Sequence, residues 1–462
     1  MERLRHLVVI LPGILGSVLE DQRGHRVWGP GLRGTVGTAG VRPRILSVTE
    51  NPRLVPVGLL PSISVVPPVF RVPGYDQLVR MIQNQFAEVV VDTAHPDHAP
   101  VGNADVLLVP YDFRVGIEAA AEQVATEVNK RRLEGLLPSA RRRRVIVVAH
   151  SFGGLVARHW LGPGGGAADC AALITMGTPH GGAPKALDYL VNGVRFGPKR
   201  FRRLTELARG WRSVYDLLPR YRAIELADGS HVYPHEVDGV GVAGEALAAY
   251  RTHVDIDDAW AALDDRPDVL AMFSRGHATP LRAAITGGGL SVTKAAADWL
   301  PNPDWGGDGT VPADSAIPHD LPNPQAWLPV PYRHLPMAGA PTVLEVLRNY
   351  AGIPTTAMRG SGPDQPWLGL DLEETYPAGH PVRVSAELLG ASAEETTTVW
   401  ATAQSVEDPE CRSRVRADRV GDRWVATLSP LPAGTYRLRV DAVDVPGVDQ
   451  VRCTDVIGVV PV

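Results

Sequence analysis

The sequence has little cysteine, no surplus of positive charge and no long apolar run. Three cysteines in 462 residues exclude a disulfide-built scaffold and a multi-cysteine zinc site. Lys and Arg total 46 against 51 Asp and Glu, a net charge of -5. No global positive field is therefore on hand to bind phosphates, and no nucleic-acid partner is expected. No stretch approaches the roughly 18 uninterrupted apolar residues that a membrane-spanning helix needs. The opening run Leu7–Leu11 stops at Pro12-Gly13, too short for the apolar region of a secretory signal. The expectation is a cytoplasmic protein, with peripheral contact at a membrane left open. Turn-forming residues are what abound: 47 Gly and 41 Pro in a chain that is 44% hydrophobic and 21% charged. That is the composition of a loop-rich protein with a large core.

Short apolar runs alternate with amphipathic segments through about residue 350. Leu7–Leu11, Val106–Val109, Val145–Ala149 and Leu173–Met176 are continuous and rich in β-branched residues, as strands buried on both faces are. Between them Ile117, Ala121, Val124 and Val128 recur at helical spacing, and Tyr75, Leu78, Ile82 and Phe86 do so less regularly. Alternating strands and helices predict a parallel sheet and an α/β domain. Residues 185–265 break the rhythm and read as a helical cap inserted into that core. Pro52–Phe70, interrupted by Pro52, Pro56, Pro61, Pro67 and Pro68, cannot be a regular helix and reads as a packed surface loop. Residues 353–369 read as a linker. From residue 370 the pattern has period two, as in Val382, Val384 and Ala386 or Tyr436, Leu438 and Val440, which predicts an immunoglobulin-like β-sandwich over 370–462. The core is then 1–184 and 266–352. Cys411 and Cys453 could pair, although free thiols are the expectation in a cytoplasmic protein.

One segment carries chemistry. Val145–Ala149 runs through His150 to Ser151, then Phe152-Gly153-Gly154 opens a helical pattern. A serine on a sharp strand-to-helix turn, with small residues two before and two after it, projects its hydroxyl at the end of a sheet. Ala149 and Gly153 are those small residues. In this arrangement the acid and then the histidine follow the serine in chain order. Asp308, flanked by glycines in Gly306-Gly307-Asp308-Gly309, is the candidate acid; Asp304 and Asp314 are rivals. His334 is the candidate base because it follows the apolar run Trp327–Val330 and precedes the helical Thr342–Tyr350; His319 is its rival. His150 adjoins the serine in the chain and points the wrong way, and His180 reads as a loop-shaping residue. Two backbone N–H groups should face the developing oxyanion. Phe152 is one, and Ile14 in the loop after the first strand is the other. No phosphate loop, metal cluster or nucleotide motif is visible, so no cofactor is implied.

At this point the chain resembles the lecithin:cholesterol acyltransferase family. The matching pieces include Val8–Ser17, Val27-Trp28-Gly29, Arg71–Tyr75, Pro110–Arg114, Ala149–Gly153, Met176–Gly182, Gly307–Val311 and His334–Met337, in the family's order. The resemblance implies an α/β-hydrolase core with cap and lid, Ser151, Asp308 and His334 as catalytic triad, and Ile14 and Phe152 as oxyanion donors. It also implies a lipid or other acyl-ester substrate. The expected activity is serine-esterase hydrolysis of lipid acyl esters, of the lipase or phospholipase type. Acyl transfer from a phospholipid to an alcohol is the alternative, and an inactive binding or scaffold protein is a second. The C-terminal β-domain lies outside the family pattern, and its protein partner is unknown. The arginines Arg412, Arg414, Arg416 and Arg419 hint at a basic strand face there, with a solvated surface as the plainer reading.

Overall fold

The computed structural model describes residues 2–29, 43–61, 64–66, 70–72, 74–132, 144–193, 195–196, 199–200, 202–286, 289–352, 366–391 and 396–461. Most of the expected linker, residues 353–365, lies outside them.

A seven-stranded sheet forms the centre. Its strands are β1 (Leu7–Leu11), β2 (Val91–Thr93), β3 (Val106–Leu108), β4 (Val145–His150), β5 (Cys170–Met176), β6 (Asp268–Phe273) and β7 (Trp327–Pro329). The spatial order is β7-β6-β5-β4-β1-β3-β2, and every pairing is parallel. The continuous apolar runs follow from coverage of both faces. Leu7, Val9, Leu11, Val145 and Val147 face one layer, with α2 (Ile117–Lys130) and α3 (Phe152–Leu161). Val8, Ile10, Ile146 and Val148 face the other, with α1 (Asp76–Gln85) and α8 (Thr342–Ala351). Residue alternation along a strand divides one apolar run between two cores. This is the expected α/β class.

Between β5 and β6 lies the insertion, with α4 (Pro184–Val191), α5 (Arg202–Arg209), α6 (Arg212–Asp216) and α7 (Glu245–Ala261). It is not purely helical. Ile224–Glu225 pairs in parallel with Arg282–Thr286, which pairs antiparallel with Gly289–Thr293. The insertion's sheet thus draws on residues beyond β6. The proline-studded stretch is also more regular than a packed loop: Val55–Leu59 pairs antiparallel with Ser17–Glu20. Pro56 is accommodated because this is an edge strand, where a missing N–H costs no ladder bond.

The C-terminal region comprises β8 (Trp367–Asp371), β9 (Thr375–Pro377), β10 (Val382–Leu389), β11 (Thr398–Ser405), β12 (Arg412–Arg416), β13 (Asp418–Val420), β14 (Arg423–Leu428), β15 (Gly434–Val445) and β16 (Val448–Val460). They form two sheets, β8-β10-β14-β13 and β9-β16-β15-β11-β12, antiparallel except for β9 with β16. The inward residues of both sheets make a single core. Cys170, Cys411 and Cys453 are all free. Among the described residues no helix is long and apolar enough to cross a membrane.

Candidate active site

The site lies where the central strands end. Ser151 leaves β4 with φ 52° and ψ -126°, a strained conformation for a residue with a side chain and one found at functional turns. The surroundings enforce it. The Ser151 amide donates to Met176 O at 2.9 Å. A Cβ on Gly153 would fall 2.4 Å from Pro12 O, and one on Gly154 would fall 2.0 Å from Thr178 Oγ1. Only glycine lets α3 start this close to β1 and to the loop after β5.

The loop after β7 brings His334 to the serine: Nε2 is 2.9 Å from Ser151 Oγ. Its Nδ1 is 2.7 Å from Asp308 Oδ2. The His334 amide also donates to Asp308 O at 3.0 Å, so the two loops are paired through the backbone as well. Asp308 Oδ1 accepts from the amides of Thr310 and Val311 at 2.9 and 2.7 Å. Burial alone would raise its carboxyl. The neighbouring His334 and the two amides outweigh that and hold it below the ordinary carboxylate value. Asp308 is 2% exposed, Ser151 6% and His334 8%.

The rival residues lie elsewhere. Asp314 accepts from Asn302 at 2.7 Å, Asp304 is exposed, and His319 approaches Asp257 at 3.6 Å. His180 is buried 3.5 Å from Thr175 Oγ1. His150 faces away from the serine hydroxyl: its Nε2 lies 2.9 Å from His334 O and its Nδ1 3.2 Å from Tyr75 Oη. The carbonyl can only accept, so Nε2 carries the proton and Nδ1 accepts from the tyrosine. Burial first, and then the adjacent His334, push the His150 pKa down to about 3. Tyr75 Oη in turn accepts from the Gly13 amide at 2.7 Å. One buried chain therefore links the loop after β1 to the backbone of His334. Sequence reading did not assign this role to Tyr75 or His150, although Tyr75 lies in a quoted motif.

The loop after β1 turns tightly, with Gly16 N on Gly13 O at 3.0 Å and Leu15 at φ 66°. The Gly13 amide is used by Tyr75. The amide of Ile14 has no acceptor among the described residues, and that of Phe152, the first residue of α3, has no partner within the helix. The Pro110–Arg114 motif supports this loop from below. Tyr111 Oη donates to Pro12 O at 2.5 Å, and buried Arg114 forks onto Asp112 at 2.9 and 2.7 Å.

Above the serine opens a cleft with about 1140 Å³ of empty space, part of it continuous with solvent. Its walls are apolar, with Ile14, Leu15, Tyr189, Trp211, Val214 and Leu217 among them. Lys185, Arg333 and Glu374 supply charge at its side.

A parallel sheet carrying a strained serine at a strand end, with Asp and His on later loops, defines the α/β-hydrolase class. Residues 85–249 match the model of the lecithin:cholesterol acyltransferase family, and the resemblance carried by the motifs thus holds across the elements that present Ser151. Among solved structures, a lipase from Bacillus licheniformis, in its propeptide form, is 11% identical with a TM-score of 0.35; 99% of this chain and 94% of that chain are covered. A superoxide reductase (neelaredoxin) from Ignicoccus hospitalis is 14% identical with a TM-score of 0.17, covering 20% of this chain and 80% of that chain. A comparison with curated proteins returns no match.

Proposed function

We propose that the protein is a serine esterase acting on lipid acyl esters through an acyl-enzyme. The observation that carries this reading is the unbroken chain from Ser151 Oγ through His334 to Asp308, at 2.9 and 2.7 Å, at the base of an apolar cleft. Ser151 attacks the acyl carbon while its proton passes to His334 Nε2. Asp308 accepts from Nδ1–H and favours the imidazolium that forms. The oxyanion is held by the amides of Ile14 and Phe152; in related sites one such donor contributes roughly a hundred- to thousand-fold in rate. The tetrahedral intermediate collapses, and His334 returns its proton to the departing alkoxide. Water, activated by the same histidine, then frees the fatty acid and restores Ser151. The apolar walls fit an acyl chain, which supports a lipid ester over a small polar one.

Turnover of a p-nitrophenyl ester by wild type and Ser151→Ala tests the reading. The variant should lose turnover and covalent labelling by a fluorophosphonate, whereas full activity in Ser151→Ala would exclude it. Mass analysis of products from mixed phospholipids, with and without an alcohol, separates hydrolysis from transfer. Free fatty acid in both mixtures is the expected outcome.

A further inference from the structure

We propose that the C-terminal β-domain is a working part of the catalytic centre, with Asp455 and the β8 backbone acting through Arg333 and His277 to position the His334 and Asp308 loops. The proposal rests on the reading of Ser151, His334 and Asp308 as a triad. Arg333 immediately precedes His334 and is 3% exposed; Asp455, on β16, is 2% exposed. The guanidinium Nε lies 2.5 Å from Asp455 Oδ2, and Nη1 donates to Leu370 O on β8 at 3.2 Å. The same guanidinium packs on the residue after the acid: a Cβ at Gly309 would meet Nη2 at 2.4 Å. The acid loop has its own attachment. His277 and Gly307 exchange backbone hydrogen bonds at 3.2 and 3.1 Å. His277 Nδ1 accepts from the Leu370 amide at 3.0 Å, and Ala278 N donates to Leu370 O at 3.1 Å. Gly369 and Gly276 touch so closely that a Cβ on Gly369 would come 2.2 Å from Gly276 O. Just beyond β8, Glu374 reaches the cleft and pairs with Lys185 of α4.

Two irregular loops carry the base and the acid, and both are fastened to the β-domain by buried polar contacts. A base must sit within a few tenths of an ångström of its productive place, and small misplacements cost rate rather than affinity. A domain that merely adhered would not need a buried charge pair one residue from the histidine. Asp371 supplies the control, since it pairs with Lys294 at 2.7 Å in an exposed part of the same seam.

The test compares Asp455→Asn and Asp371→Asn in the full chain, using a soluble short-chain p-nitrophenyl ester and counting active sites with a fluorophosphonate. Asp455→Asn should lower kcat per titrated site by about 10- to 100-fold with KM little changed, while Asp371→Asn stays near wild type. An unimpaired kcat per site in Asp455→Asn, or an equal loss in Asp371→Asn, overturns the proposal. Should Asp455→Asn fail to fold, Arg333→Leu with Asp455→Leu leaves no unpaired buried charge and is read by the same criteria. A wild-type chain that does not label overturns the triad reading itself; a labelled wild type beside an unimpaired Asp455→Asn overturns this proposal alone.

A different face of the same domain carries a second inference. Cross-strand registers place Arg412, Arg414 and Arg416 of β12, Arg437 and Arg439 of β15, and Arg452 of β16 on the sheet face that also carries Trp400 of β11. Asp441 lies on that face, 2.8 Å from Arg439 and 2.6 Å from Arg452. Arg414 lies over the Trp400 ring at 4.4 Å. Among the described residues Arg412, Arg414, Arg416 and Arg437 have no ion-pair partner. In a chain of net charge -5, six guanidiniums on one sheet face are a local concentration. The geometry points to docking on an anionic phospholipid bilayer: the arginines share one sheet face, guanidiniums suit lipid phosphates, and tryptophan suits the interface.

Sedimentation with phosphatidylglycerol or phosphatidylcholine vesicles tests this. Binding should favour phosphatidylglycerol, weaken in salt and be lost in Arg412→Glu with Arg414→Glu and Arg416→Glu, each arginine mattering about five-fold. Turnover of the soluble ester should be unchanged in that variant. Equal binding to both vesicles, vesicle binding by the triple variant at the wild-type level, or arginine-dependent binding to single-stranded nucleic acid without vesicle binding would overturn it.

Discussion

Acidification should destabilise the folded chain well before its carboxylates are protonated, because four histidines are buried in neutral form. His150 and His277 are 0% exposed, His253 is 3% and His180 is 5%. Burial is the leading cause of depression in all four, reinforced by His334 beside His150, Arg158 and Arg220 beside His180 and His253, and Arg333 beside His277. Three fall to about 3, and His180 lies well below its ordinary value. In the unfolded chain each titrates near 6.5. A depressed folded pKa contributes stability above 6.5 that is lost as pH falls from there towards 3. Between about pH 7.5 and about pH 5.5 the unfolded state gains nearly one proton per histidine, worth about 1.4 kcal/mol each and about 5.5 kcal/mol together. Asp216 opposes this. Burial, only partly countered by Arg212, lifts it to about 6, so its folded form takes up protons first and returns about 1 kcal/mol. The net loss of about 4.5 kcal/mol is a large part of a typical folding free energy and corresponds, for a chain of 462 residues, to roughly 5 °C in Tm. Urea midpoints followed by tryptophan fluorescence at the two pH values measure it, and His253→Gln should remove about a quarter of the histidine contribution. Stability that holds steady or rises on acidification would refute the reasoning.

Three further outcomes follow from packing around the serine. Gly154→Ala drives a methyl into Thr178 and should lower stability by roughly 1–3 kcal/mol or more, seen as a shifted denaturation midpoint. Tyr75→Phe removes the hydroxyl shared by Gly13 N and His150. It should cost about 1–3 kcal/mol in stability, and steady-state kinetics should show kcat falling more than KM rises. Leu217→Trp narrows the apolar cleft and should shift ester preference towards shorter acyl chains, read from a chain-length series of p-nitrophenyl esters.

The central sheet was legible because its strands are covered on both faces and so read as unbroken apolar runs. The serine turn was legible because its small residues sit at fixed offsets. Asp308 and His334 were chosen as candidates by chain order together with local context, the glycines flanking Asp308 and the apolar run and helix on either side of His334. Other features left little pattern. Ile224–Glu225 is two residues long and cannot display a period. Val55–Leu59 carries a proline that argues against a strand unless its edge position is known. The contacts of Tyr75 with His150 and of Arg333 with Asp455 join residues distant in the chain, and one polar residue gives no hint of its partner. The β-domain's own strands were readable from alternation, but its seam with the hydrolase core was not.

The seam also has a consequence for the order of synthesis. Ribosomes deliver β1 to β7 before β16, and with them every strand of the parallel sheet, the serine turn and the loops that carry Asp308 and His334. Arg333 must then wait, without its counter-ion, until β16 emerges. A nascent chain can therefore assemble its hydrolase sheet while the histidine loop still lacks its anchor. On the proposed reading, the arrival of β16, rather than folding of the parallel sheet, is what fixes the His334 loop.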